Sequence, residues 1–365
     1  MDKVGILTFH AAHNYGSMLQ AFALKAIIST LGYKCEIINY RNKKQKKLYS
    51  ILSVGIKTQI IRVLHISKYT RRYKSFECYL KEYLTKSSEI NTHEDIDKYL
   101  KEFYAIICGS DQIWNLSSNT YDSDTIYYLP FKFKGKKIAY APSMGSDIDI
   151  NLIKTKLITY IKDFSSLSAR EDKLSNVLEN CLNKNIPTVL DPTLLVKKET
   201  WDKQIVPIKE TNYICFYSLI YSEDLVKLAL QASKLLNLKI INLSPRAKYA
   251  SVNAFIQKYD IGPKEFISYI KNANLVITNS FHGTVFSILE KTPLFSIILD
   301  QNKPDFRRQN LFSITKLYDM YFYVNDTYNI VDRFNKIKDI DYSYAEEQLE
   351  KAKIDSINYL KEALL

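Results

Sequence analysis

Leu275-Val276-Ile277-Thr278-Asn279-Ser280-Phe281-His282-Gly283 carries an apolar, β-rich run into the start of a helix read from Thr284 to Glu290. A strand that feeds a helix through a short polar loop is the repeating unit of a parallel sheet with helical crossovers. In such sheets ligands settle outside the carboxyl ends of the strands, and the free N–H groups of a helix N-terminus attract anions. His282 is therefore a candidate acid or base beside a phosphate, with Asn279, Ser280 and Gly283 as binding neighbours. The plain alternative is a histidine that caps the helix or bonds a neighbouring loop.

The alternation extends on both sides. Before and after this stretch the pattern predicts strands Tyr213 to Ser218, Lys239 to Leu243 and Leu294 to Ile298, with helices Asp224 to Leu236 and Pro263 to Lys271 between them. The first forty residues repeat it: strand Val4 to Phe9, a helix from about Ser17 to Leu31 with apolar residues at helical spacing, and strand Cys35 to Tyr40. Sheet character returns at Ala105 to Cys108, at Lys137 to Ser143, at Leu167 to Arg170 and at Val189 to Thr193, where Pro192 ends regular pairing. The fold class is α/β, with two Rossmann-like domains and an implied cleft. The expected division is 1–192 with a helical insertion at about 45–100, then 193–340, then a helix over 341–365 that returns to the first domain. The first domain is expected to take an acceptor and the second a donor.

With 365 residues, 46% hydrophobic and 25% charged, the chain suits two folded domains. No run approaches the length of a membrane span, and Met1-Asp2-Lys3 leads directly into a strand, so a cytoplasmic protein is expected. Five cysteines without metal-like spacing read as reduced, buried small hydrophobes, and neither they nor the histidines predict a metal site or a cofactor. A formal net charge of +12 favours an anionic partner. Its basic residues gather in Arg41 to Lys47 and Lys68 to Lys74; a solvated surface is one reading, peripheral docking on the anionic inner face of the cell membrane the other. No nucleic-acid motif accompanies the charge, and no nucleic-acid partner is expected.

The residues able to do chemistry follow predicted strands. Asn14-Tyr15-Gly16-Ser17 combines a tight turn, a hydroxyl and a helix start, suited to a phosphate or sugar hydroxyl or simply to capping. Ser110, Asp111 and Trp114 lie in a dense polar run after Cys108; amides and an aromatic face suit a carbohydrate, while Trp114 filling the core is the competing reading. Arg170 has a planar fork for carboxylate or phosphate, or for an internal acidic partner. Arg307 and Arg308 offer charge to a substrate anion after the last predicted strand.

Five of these motifs, in order, resemble the polysaccharide pyruvyl transferase family: His10 to Ala21, Gly109 to Asn115, Ser168 to Glu171, Asp191 to Thr193 and Asn279 to Gly283. The resemblance covers most of the chain. It implies a GT-B-type pair of domains and transfer of the pyruvyl group of phosphoenolpyruvate, the donor substrate, onto a surface polysaccharide sugar or its lipid-linked precursor, usually as a ketal. By position, Arg170 matches the family's arginine after the strand and His282 its histidine near the donor. Many members carry arginine two places before that histidine. This chain has Ser280, so Arg170, Arg307 or Arg308 is expected to supply the charge. A GT-B glycosyltransferase using a nucleotide sugar and a non-catalytic sugar-binding protein at the membrane remain the alternatives.

Overall fold

The structure is a computed structural model that describes residues 2–42, 46, 66–92, 95–96, 99–115, 125–145, 158–326 and 329–365. Part of the expected insertion, and three of the four lysines in Lys43 to Lys47, lie outside these residues. The chain divides into two compact units: Met1–Ser53, Glu77–Val196 and Glu350–Leu365 form one, and Val54–Phe76 with Lys197–Leu349 form the other.

In the first unit, β1 (Lys3–Leu7) leads through α1 (Tyr15–Thr30) to β2 (Lys34–Ile37). Asn14 starts α1 because its side-chain oxygen accepts the N–H groups of Gly16 and Ser17 at 2.9 and 3.3 Å, replacing two bonds that a helix start lacks. After α2 (Ile66–Tyr79) come β3 (Ala105–Cys108), β4 (Lys136–Ala139) and β5 (Ser166–Leu167), then α3 (Asp172–Leu182) and the short α4 (Pro192–Leu195). Among the described residues these strands make one parallel sheet in the order β2-β1-β3-β4-β5. All four residues of β3 are buried, the pattern of a strand covered on both faces. Chain order reverses at β1, with β2 on one side and β3 on the other, which opens a crevice at their carboxyl ends.

The second unit holds β6 (Tyr213–Tyr217), α5 (Glu223–Leu236), β7 (Lys239–Asn242), β8 (Phe255–Gln257), α6 (Pro263–Lys271), β9 (Leu275–Thr278), α7 (Phe281–Leu289), β10 (Leu294–Ile298), α8 (Phe306–Thr315), β11 (Tyr321–Tyr323) and α9 (Ile330–Lys338). Its parallel sheet runs β11-β10-β9-β6-β7-β8. Here the order reverses at β6, between β7 and β9, so the loop carrying His282 leaves the sheet at its switch point.

Three expectations need correction. Ile66–Phe76 packs with the second unit rather than as an insertion in the first, because Lys68 donates to Gln257 O, Arg72 donates to Tyr259 O and Arg71 pairs with Asp260. Those basic side chains are spent internally, which weakens one of the two stretches read as a membrane-facing surface. Val189 to Thr193 is not a strand: Asp191 caps α4 by accepting the N–H of Thr193, and Pro192 takes the first helical position, where no N–H is needed. Finally, all five cysteines are free, but only Cys108 and Cys215 are buried and Cys78 is exposed.

The last helix, α10 (Ser343–Leu364), contributes Glu350–Leu365 to the first unit. There Ser356 Oγ accepts the N–H of Leu190, and Tyr359 donates to Ala139 O.

Gly283 fixes how closely α7 approaches β9. A Cβ on it would stand 2.6 Å from Thr278 Oγ1, and that oxygen is held by donating to Tyr217 O at 2.6 Å while accepting Ser280 N–H at 3.0 Å. It cannot swing away. Gly283→Ala is expected to lose about 1–3 kcal/mol by overpacking, more than the ~1 kcal/mol that alanine's helix propensity returns. Denaturant unfolding of the variant measures the balance.

Candidate active site

Two clusters stand at the two switch points. In the first unit a buried polar network joins the loops after β1, β3 and β5. Ser17 Oγ donates to Asp111 Oδ2 at 2.5 Å, and Ser110 Oγ lies 3.2 Å from Asp191 Oδ2. Arg170 Nη1 meets Asp191 Oδ2 at 2.6 Å, while its Nη2 stands 3.6 Å from Asp111 Oδ1. Gln20 ties the network to the sheet, donating to Thr8 Oγ1 and accepting Ser110 N–H. Gly109 allows the close approach, since its φ is +125° and a Cβ would run into Tyr140 O. Asp111 adopts a left-handed φ of +79°, held by Ser143 N–H donating to its carbonyl.

This geometry sorts the expected residues. Asn14 is half-buried at the crevice, Ser17 and Asp111 are buried at 5% and 8% exposure, and Tyr15, Gly16 and Ser110 are buried with them. Trp114 is not a sugar platform. Its ring is fully buried, stacked on Tyr128, and its N–H donates to Tyr127 O at 3.0 Å, so it fills the core. Arg170, read as binding either a ligand anion or an internal acid, has the internal acids: its side chain is 1% exposed and meets Asp191 and Asp111. Sequence reasoning did not place Asp191 or Gln20 in the site. An Asp before Pro at a helix start was the legible sign of the first. A glutamine on the otherwise apolar helix α1, which must find partners once buried, was the sign of the second.

In the second unit, Ser280 caps α7, its hydroxyl 3.4 Å from Gly283 N. Asn279 accepts Leu219 N–H at 3.0 Å, tying the loop after β9 to the loop after β6. His282 occupies the first turn of α7, 6% exposed, its ring edge-on to Phe281 with centroids 5.2 Å apart. Arg307 lies over the Phe281 ring, 5.4 Å from its centroid. Both its Nε and Nη2 meet Asp305, which caps α8. Arg308 is corrected from substrate contact to structural support: it is buried, with Nη1 donating to Ile297 O at 2.8 Å and to Ser296 Oγ at 3.2 Å. Of the two arginines, Arg307 is the one that packs on Phe281, the ring next to His282.

His10 and His13 serve a third cluster. Buried His10 bridges Thr8 O and Asn39 Oδ1, and its pKa is pushed down by burial. His13 Nε2 contacts Glu77 Oε1 at 3.1 Å, and Arg41 grips both Glu77 oxygens. Burial alone would raise the Glu77 carboxyl, but His13 and Arg41 outweigh it and hold it at about 2, against 4.5 ordinarily. A depressed acid stabilises the fold above its unfolded pKa. This contribution, on the order of 3 kcal/mol at most, is expected to fade as pH falls from about 4.5 towards 2. Glu77→Gln should flatten that part of the stability–pH curve, read from denaturant midpoints. Among the described residues no group of three or more His, Cys, Asp or Glu side chains is gathered to hold a metal, and no helix is long and apolar enough to cross a membrane.

Comparison with solved structures finds similar folds over nearly the whole chain. UDP-GlcNAc 2-epimerase from Neisseria meningitidis bound to UDP-GlcNAc aligns over 99% of this chain and 100% of its own, with 10% identity and a TM-score of 0.53. Arabidopsis thaliana UGT89C1 complexed with UDP covers 100% of both chains at 12% identity and a TM-score of 0.53. UDP-GlcNAc 2-epimerase from Methanocaldococcus jannaschii covers 98% of this chain and 99% of its own at 13% identity and a TM-score of 0.51. Identities this low speak for the fold alone, which is α/β of the GT-B type. No curated protein matches the sequence. The family model for polysaccharide pyruvyl transferase matches residues 14–301, a span that starts at Asn14 and takes in both switch-point loops. The chain belongs to the polysaccharide pyruvyl transferase family.

Proposed function

We propose that this transferase moves the pyruvyl group of phosphoenolpyruvate onto a sugar of a surface polysaccharide or its lipid-linked precursor, closing a pyruvate ketal and releasing phosphate. The observation that carries this reading is His282 in the first turn of α7 at a switch point, with Arg307 one aromatic ring away. Helix N–H groups and a guanidinium suit the donor's phosphate and carboxylate, and an imidazole can deliver and take back a proton.

In this mechanism protonated His282 delivers its proton to the methylene carbon of the donor, making a methyl group and leaving C2 electrophilic. A sugar hydroxyl adds to C2 and gives up its proton to the imidazole. A second hydroxyl then attacks C2, the C2–O bond to phosphate breaks, and the second hydroxyl proton leaves with phosphate. Asn14, Ser17 and Asp111 are the acceptor-side contacts in this scheme, held in place by Ser110, Asp191 and Arg170. The reaction as written draws on no cofactor, so dialysis against a chelator should leave turnover unchanged. Contact with an anionic membrane face belongs to the same reading through the net charge of +12, and sedimentation with anionic vesicles at low and high salt measures it.

The test is phosphate release from phosphoenolpyruvate against a panel of free and lipid-linked oligosaccharides, with mass detection of the pyruvylated product. Turnover with a nucleotide sugar, and none with phosphoenolpyruvate, would replace this reading by glycosyl transfer.

A further inference from the structure

Beside the edge strand of the first unit lies a cavity of about 370 Å³, walled by Asn39, Arg41, Lys81, Lys86, Ser87 and Glu89, with Glu77 beneath. Its size falls in the range of small-ligand sites, at the end that suits a single sugar ring with a substituent. The charges around it are unevenly spent. Glu77 is taken by Arg41 and His13, and Glu89 by Lys46. Lys81 and Lys86 are exposed on the rim and have no acidic partner among the described residues. Arg41 Nε is buried without a hydrogen-bond partner among the described residues; its nearest carboxylate oxygen, on Glu89, is 4.0 Å away. A buried N–H of a charged group left without a partner is costly, and an entering anion would relieve it.

The remaining wall is neutral and hydrogen-bonding. Asn39 donates to Ser87 O, and Ser87 Oγ pairs with Thr85 Oγ1, leaving lone pairs and N–H groups of a kind that meet hydroxyls. The cavity is also joined to the first unit's switch point. Asn39 Oδ1 meets His10, His10 meets Thr8 O, and Thr8 Oγ1 donates to Ser110 O beside Asp111.

We infer that this cavity binds a glycosyl phosphate: Lys81, Lys86 and Arg41 take the phosphate, and Asn39 and Ser87 take ring hydroxyls. Resting on the pyruvyl-transfer reading, it further assigns the cavity to the phosphate-bearing end of the acceptor.

Titration calorimetry on the full chain tests it, using the 1-phosphates of glucose, galactose, mannose and N-acetylglucosamine, the four free sugars and inorganic phosphate. At least one glycosyl phosphate should bind tenfold or more tightly than its free sugar and than inorganic phosphate. Lys81→Ala/Lys86→Ala, which removes two exposed side chains, should weaken that binding at least tenfold and leave phosphoenolpyruvate binding unchanged. The inference is overturned if no glycosyl phosphate outbinds inorganic phosphate, or if the double variant binds it as the parent does. Lysine-dependent binding without phosphate release from phosphoenolpyruvate would leave the cavity assigned and sink pyruvyl transfer instead; turnover without such binding does the reverse.

Discussion

His282→Ala is expected to lower turnover by about a hundredfold to ten thousandfold, the usual worth of a positioned acid or base, while phosphoenolpyruvate still binds. The split between rate and binding follows from the surroundings. The groups assigned to hold the donor are Arg307 and the N–H groups of α7, and these remain when the imidazole is removed. Single-turnover kinetics and a donor titration read the two quantities separately. A folded variant with the parent's rate would take His282 out of the chemistry. Arg307→Ala should show the opposite split, weakening the donor more than it slows the step.

Loss of stability, rather than of rate, dominates the second expectation. Arg170→Ala removes the cation from a pair whose side chains are 1% and 0% exposed, while the neutral donors Ser110 and Thr193 stay on Asp191. Breaking a buried pair from one side costs about 3–5 kcal/mol, because the remaining charge stays in a poorly solvating site. Unfolding followed through signals of the first unit should register a loss of that order. Arg170→Met with Asp191→Asn removes both charges together and is expected to recover a large part of it; a double variant as unstable as Arg170→Ala would argue against the pair as the origin of the loss. Any fall in activity of Arg170→Met/Asp191→Asn at temperatures where it remains folded reports the positioning of Ser110 and Asp111.

The alternating fold was legible because strands such as Tyr213–Tyr217 and Leu275–Thr278 are buried on both faces and leave unbroken apolar runs. The edge strands Phe255–Gln257 and Tyr321–Tyr323 were not, since three residues are too few to make a pattern. Helix α8 also escaped notice, although Asp305 before it carried a capping signal. For the site, the sequence singled out loops that lie at the two switch points, but not where each side chain ends up. Whether Trp114, Arg170 or Arg308 faces a ligand depends on Tyr127, Asp191 and Ile297, none of which adjoins it in sequence. Local pattern sets where a side chain leaves the backbone; distant partners decide whether its charge or ring is already used.

The division of the chain also sets a timetable. The first unit needs Glu350–Leu365, and the second needs Val54–Phe76. Domains ordinarily fold in the order of synthesis, amino-terminal first. Here the first unit cannot receive Ser356 and Tyr359, with their bonds to Leu190 and Ala139, until the second unit that lies between them in sequence has been synthesised. The unit that begins first waits for the one that follows it, and deletion of α10 would injure the unit built around β1 and β3.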